Sequence, residues 1–430
     1  MKDLRFDWLA LFAPLCALTV FITPVVRAND FESWPTYGGN NAHTGYVPVD
    51  LDTRGYRLDW HRDFLLPQTQ QPGSPAVIEN GRVFVTTRDI GLEAISLDTG
   101  TTLWRNQFEF NYRGIGFPSV YEGTVYLNLF GHSSTSGNTP DPALASFDAT
   151  TGQEHYRVAH EGQSGSGGQP VVSNGGVFMS GGYFGGIDGY DANTGTRLWF
   201  KALGLHYNWV PSADENHVYV YNNGNYAGQR GELLVMNPHT GSYTSIPDPQ
   251  SPTIYDYPET PVLGANNRAY VSRVGAFVAF DLENSRIDWQ RDLRISQFAI
   301  DEDRLYSVGN QGLIEVSLID GAELRSWNEE DLLLSGTSFE GYQPFLTNSH
   351  VLIMTASETL AINRVSWDID WRLPYSGRVS FADNRLLISN SSEGVAAFVP
   401  IPEPNTFSLL SFAVLATFIY EIRRWSLWHY

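Results

Sequence analysis

Residues 94–104 read Ala-Ile-Ser-Leu-Asp-Thr-Gly-Thr-Thr-Leu-Trp, and this stretch decides the fold. Two short runs of β-forming residues flank a turn. Its Asp and Thr can hydrogen-bond the turn backbone, and its Gly accepts the left-handed conformation. An aromatic ring closes the second run. The pattern recurs as SFDATTGQEHY ending at Tyr156, GYDANTGTRLW at Trp199, VMNPHTGSY at Tyr243 and AFDLENSRIDW at Trp289. Weaker copies end at Trp327 and Trp371.

Before each copy stands a hairpin signature, clearest in PAVIENGRVFVTT from Pro75 to Thr87. Others begin at Pro118, Pro170, Pro211, Pro261, Phe298, Pro344 and Val379, which makes eight. Asn, Asp and Gly at their centres supply the positive φ of two-residue hairpin turns. The eighth hairpin lacks a following fourth strand, but a spare one stands at the other end, YRLDW from Tyr56 to Trp60. The closing aromatics at 60, 104, 156, 199, 243, 289, 327 and 371 therefore repeat every 38–52 residues. Four strands at that period predict an all-β, eight-bladed β-propeller of four-stranded antiparallel blades, with the ring closed by the N-terminal strand.

Composition agrees. The 430 residues hold 12 Trp, 22 Tyr, 24 Phe and 40 Gly, a balance that suits short strands and tight turns. A formal charge of −20, without a Lys/Arg cluster, makes nucleic acid a poor partner.

The aspartate, threonine, glycine and tryptophan positions of this repeat resemble the pyrroloquinoline-quinone repeat family. Asp98-Thr99-Gly100 with Trp104, and Asp191, Thr194-Gly195 with Trp199, match its A-x-D-x-x-T-G-x-x-x-W motif, and WPTYGGNNAHTG from Trp34 to Gly45 looks like its opening segment. The resemblance covers roughly residues 34–398, more loosely from the fourth blade on, and implies propeller blades in which the motif is structural. It also implies two functional branches. One is quinone-dependent alcohol and sugar dehydrogenases, with calcium-binding carboxylates and amides, a catalytic Asp and often a disulfide. The other is non-catalytic scaffolds such as an outer-membrane assembly lipoprotein.

Both ends carry targeting signals. Lys2 and Arg5 precede an apolar run from Trp8 to Ile22, and Val26-Arg27-Ala28 offers a signal-peptidase site; an uncleaved anchor is the alternative. Cys16, the one cysteine, lies inside that run, so the mature chain has none. At the C-terminus Pro402-Glu403-Pro404, an apolar stretch from Phe407 to Tyr420 and Arg423-Arg424 occur in order. This resembles the PEP-CTERM sorting signal, which implies processing by an exosortase-type enzyme. A buried C-terminal helix is the alternative reading. The expected organisation is a signal peptide over 1–28, a propeller over 29–400, and a sorting tail over 401–430 holding a short C-terminal transmembrane helix at 407–422.

Alternating strand direction places the hairpin turns and the Asp-x-x-Thr-Gly turns on one rim. The second-to-third-strand loops and the blade connectors share the other, which alone carries insertions, at 130–142 and 222–231. Binding residues collect on such loops. The candidates are Gln169, His206, Tyr207, Trp209, Tyr226, Arg230, Tyr257, Glu259, Tyr342 and Arg378, with Asp256 and Glu340 nearby. Packing beneath loops or plugging the channel is the alternative role for each. Rings beside amides and charges suit protein or polysaccharide. No catalytic serine grouping, zinc pattern, phosphate loop or calcium set is legible, so no catalytic, cofactor-binding or metal-ligating residue is expected. The expectation is an exported, non-catalytic binding scaffold at the cell surface, held to a membrane by its C-terminal segment. The alternative is a quinone-dependent dehydrogenase.

Overall fold

The computed structural model describes residues 31–64, 76–87, 89, 91–108, 114–130, 142–161, 168–182, 185–203, 209–223, 230–252, 260–293, 295, 297–309, 312–327 and 342–402. The expected signal peptide, the tail from Glu403 onward with Pro404, Arg423 and Arg424, and the 407–422 segment lie outside them. Among the described residues no helix is long and apolar enough to cross a membrane.

Eight sheets form, each with a four-stranded antiparallel meander. Blade 1 runs Ala76–Glu79, Arg82–Thr87, Gly91–Ser96 and Thr102–Gln107. Blades 2 to 7 repeat that order up to Ile369–Leu373. Blade 8 takes Arg378–Ala382, Arg385–Asn390 and Gly394–Pro400, then borrows Tyr56–Arg62 as its outer strand, with Trp60 opposite Ala397. The eight-bladed propeller and its N-terminal closure are thus as the repeat predicts.

First strands of successive blades touch one another around the axis. Fourth strands face outward and alternate exposed with half-buried residues, as in Thr102–Gln107. Second and third strands are buried on both faces, because each blade is sandwiched between two neighbours. Five hairpin turns take the expected left-handed pairs, such as Asn80 and Gly81 at φ 50° and 70°, whereas the turns of blades 4, 6 and 7 (residues 214–217, 301–304 and 347–350) hold no residue at positive φ.

The seams between blades explain the repeat motif. In blade 1 a bulge between Ala94 and Ile95 sets Trp104 opposite Ala94 and turns its ring toward blade 2. There the ring lies on Gly152, where a Cβ would come within 2.7 Å of it, and its Nε1 donates to Ala149 O at 3.0 Å. Only glycine leaves that space, and its φ of +73° favours glycine too. Trp60 on Gly100, Tyr156 on Gly195, Trp199 on Gly241, Trp289 on Gly321 and Trp371 on Gly55 repeat the arrangement.

Two seams depart from the expected closing residues. In blade 6 Arg325, not Trp327, stands opposite Glu315, and its guanidinium lies 5.2 Å from the Trp367 ring of blade 7. In blade 4 no bulge forms, so Thr244 stands opposite Val235 and Tyr243 turns the other way, its hydroxyl accepting from Lys201 Nζ at 2.8 Å.

The opening segment fills the channel. Its backbone and Asn41 reach the innermost strand or turn of every blade in ring order. Phe31 O accepts from Asp383 N of blade 8, and Ser33–Trp34 pairs with Ile78 and Glu79 of blade 1. Pro35 O meets Val120 N of blade 2, and Asn41 Nδ2 donates to Val172 O of blade 3. Asn41 O, Ala42 O, Thr44 O and Gly45 O accept from Ala213, Leu263, Ile300 and Leu346 of blades 4 to 7. Tyr46–Val47 then pairs parallel with blade 7 and the chain descends. At the bend His43 is fully buried, with Nδ1 2.7 Å from Tyr37 O and Nε2 2.7 Å from Pro211 O.

Candidate functional site

On the connector rim the channel ends in a small basin. Tyr37 comes from the axial segment, while Gln297, Tyr342 and Arg378 sit at or just before the inner strands of blades 6, 7 and 8. Tyr37 Oη donates to Gln297 Oε1 at 3.0 Å, and Gln343 Nε2 donates to His43 O and Phe298 O at 2.9 Å each. The Arg378 guanidinium lies 5.2 Å from the Tyr342 ring and 5.8 Å from the Phe117 ring. Burial lowers the pKa of Arg378 from its ordinary value, against the pull of Tyr342 and Tyr37. A cation held between two rings with amides beside it suits a carboxylate or carbonyl from a partner.

The structure brings together two of the predicted site residues, Tyr342 and Arg378. Arg230 is exposed elsewhere and donates from Nη1 to Ser251 O at 2.8 Å. Gln169 is fully buried, its Nε2 donating to Pro118 O at 2.5 Å, so it ties blade 3 to blade 2. Trp209 is 1% exposed and packs with Val171 and Phe178 in the core between blades 3 and 4. His206, Tyr207, Tyr226, Asp256, Tyr257, Glu259 and Glu340 lie outside the described residues. Sequence reasoning did not single out Tyr37, Phe117, Gln297 or Gln343. Their shared signal is position, because Phe117, Gln297 and Gln343 each stand at or within two residues of an inner strand's start.

Titratable groups under this rim are structural. His160 is buried between Asn128 Oδ1 and Glu161 O at 3.0 Å each, and burial pushes its pKa down to about 4. Asp188 is fully buried and accepts from Arg197 Nε at 2.6 Å, yet burial outweighs that pairing and raises its pKa to about 6. A folded pKa above the unfolded one means that stability is highest below pH ~4 for this group and falls as pH rises toward 6. Asp188→Asn is therefore expected to stabilise the fold at pH 7.5, by about 1–3 kcal/mol, with little effect near pH 4. Urea midpoints at both pH values check this, and a destabilised variant at pH 7.5 would show that the ion pair wins.

One serine–histidine–aspartate contact was not visible in the sequence. Ser349 Oγ lies 2.8 Å from His350 Nδ1, and His350 Nε2 lies 2.9 Å from Asp370 Oδ2. The imidazole is fully buried, and the Ser349 oxygen accepts from Leu51 N at 3.1 Å. The trio fastens the returning axial segment to blade 7.

Among the described residues the axis leaves no room for a quinone. The basin encloses about 40 Å³, room for a few waters, whereas cofactor pockets usually hold about 300–1,000 Å³. Trp34, Tyr37 and Gly45 occupy the space beneath it. Among the described residues no three His, Cys, Asp or Glu side chains are grouped to hold a metal ion.

Comparison with known proteins follows these lines. Among solved structures, BamB from Moraxella catarrhalis superposes with a TM-score of 0.57 at 16% identity, covering 80% of this chain and 98% of that one. A europium-containing methanol dehydrogenase gives 0.61 at 12% identity, covering 83% and 89%. The quinohemoprotein alcohol dehydrogenase from Comamonas testosteroni gives 0.64 at 15%, covering 88% and 82%. At such identities these likenesses show the fold alone. No curated protein matches the sequence. The family described as outer membrane protein assembly factor BamB matches residues 44–139 and 138–328, more than half of the chain. With its repeat turns and blade seams formed as that family's motif requires, this chain belongs to the BamB-type family of pyrroloquinoline-quinone-repeat propellers.

Proposed function

We propose that the chain is an exported, non-catalytic scaffold that binds a protein partner at a membrane surface through its connector rim. The observation that carries this reading is the axial segment, bonded to all eight blades, which among the described residues leaves the channel no volume for a quinone. The family description, an outer-membrane protein assembly factor, favours a protein over a polysaccharide as partner. A signal peptide over 1–28 and a PEP-CTERM-like tail over 401–430, read by an exosortase-type enzyme, complete the proposal. Geometry supports it: Phe31 meets the blade 8 hairpin turn, and Ile401 N donates to Gly55 O on the same rim. A tether at either end therefore leaves the opposite rim, with Tyr342 and Arg378, facing outward.

Two measurements test the reading. The purified propeller mixed with pyrroloquinoline quinone and calcium is expected to take up no chromophore and to reduce no dye with alcohols or sugars. Uptake with dye reduction would overturn the scaffold in favour of a dehydrogenase. A photo-reactive residue at Tyr342 is expected to cross-link a membrane protein in the host envelope, while one at Asn80 on the turn rim does not. Equal cross-linking from both positions would sink the rim assignment.

A further inference from the structure

One seam of the ring is open. At the junction of blades 4 and 5 both parts of the seal are missing. Ser285 (φ 50°) stands where six other blade junctions have glycine, and Thr244 stands where blades 1, 2, 3, 5 and 7 and the closing strand place Trp or Tyr. Val235 and Ile246 pack against blade 5, which puts Thr244, paired with Val235, on that same face. The vacated space is a groove of about 660 Å³ along the outer wall, running from Ser285 on the turn rim to Gln250 on the connector rim. Its floor is apolar, with Ile287 and Pro247. Of its arginines, Arg286 pairs with Asp281 Oδ2 at 3.3 Å, and Arg291 packs with Trp289 on the Gly321 side of the strand, toward blade 6. Gln290 Nε2 donates to Gln250 Oε1 at 3.1 Å and bridges the upper end. Blade 6, the other departure, is no such gap, because Arg325 lies over Trp367 there.

We propose that this seam is a docking groove for an extended segment of a partner protein that inserts a bulky aromatic side chain. The occupant follows from the other seams. An indole or phenol from the preceding blade fills six of them, and the walls of this one remain without theirs. A ring from outside supplies the missing apolar volume against Ile246 and Ile287. The groove is on the side wall, so it does not depend on the connector rim binding anything.

The test uses the complete propeller and a short acetylated peptide, Asp-Gly-Trp-Gly-Asp, carrying a fluorine-labelled tryptophan. Fluorine line broadening is expected with the wild-type chain, at a Kd on the order of 1 mM. Resealing the seam with Thr244→Trp and Ser285→Gly is expected to raise the melting temperature and weaken peptide binding at least roughly tenfold. No broadening with the wild type overturns the proposal, as does unchanged broadening after resealing. Equal binding of a peptide with Ala in place of Trp also overturns it. Wild-type dimers that resealing converts to monomers would assign the groove to a second copy of this chain instead. Loss of cross-linking from Tyr342 on the connector rim is not expected in these variants, so the two readings fail separately.

Discussion

A chain beginning at Tyr56 is expected to lose the cooperative unfolding that a chain beginning at Phe31 shows. Both keep the strand Tyr56–Arg62 that completes blade 8, so the comparison isolates the axial segment. That segment buries Trp34 (3% exposed), Tyr37, Val47 (0%), Val49 and Leu51 along the channel and beneath blades 7 and 8. Each large apolar side chain contributes about 1.5–3 kcal/mol on burial, so five of them match the ~5–15 kcal/mol by which a whole fold is stable. Removing them also takes the acceptors from Val120, Ala213, Leu263, Ile300 and Leu346 N–H, which water then solvates. The shortened chain should unfold over a broad urea range and bind a hydrophobic dye in buffer. Adding a peptide of residues 31–55 should restore a sharp transition. A shortened chain with an unchanged midpoint would mean that the ring stands without its axis.

This dependence was only half legible beforehand. The run from Trp34 to Gly45 was marked by its resemblance to an opening segment, but its route could not be read. The route depends on backbone carbonyls spaced to meet eight strands, and carbonyls leave no trace in residue identity. The blades were legible because their turns need specific residues: Asp191 and Thr194 bond the turn, and Gly195 makes room for Tyr156. The closing residues of blades 4 and 6 were misread for a related reason. Tyr243 and Trp327 are aromatic, but they stand six and ten residues past Asn237 and Ser317, whereas Trp199 stands eight past Asp191. Spacing and the strand bulge, not residue type, set which residue seals the next blade: Tyr243 turns away, whereas Trp327 still faces blade 7, 5.9 Å from Trp367, two residues beyond the sealing position. The candidate site fared similarly. Arg378 and Tyr342 reach the basin, while Gln169 and Trp209 turn inward, because a connector alternates between core and rim without a readable period.

The second large effect is expected at the wall behind the open seam. Arg273 (side chain 3% exposed) and Asp248 (0%) form a buried ion pair, with Nε donating to Oδ2 at 2.5 Å and Nη2 to Oδ1 at 3.2 Å. Asp248 ends the outer strand of blade 4 and Arg273 ends the second strand of blade 5, so the pair joins neighbouring blades where no aromatic seal does. Tyr221 Oη adds a donor to Asp248 Oδ2 at 2.9 Å. Asp248→Ala leaves a desolvated guanidinium and a buried hydroxyl without their acceptor, and is expected to cost about 3–5 kcal/mol. By contrast, Asp248→Leu with Arg273→Met removes both charges and fills similar volume, so its cost is expected to fall to about 1–2 kcal/mol, the share of the Tyr221 hydroxyl left without its acceptor. Chemical unfolding of the single and double variants measures the difference. If the double variant is as unstable as the single one, the pair is worth its full attraction, and the joint between blades 4 and 5 is electrostatic. If it recovers, the joint needs only packed volume, and the pair holds the seam in register while leaving its outer half open.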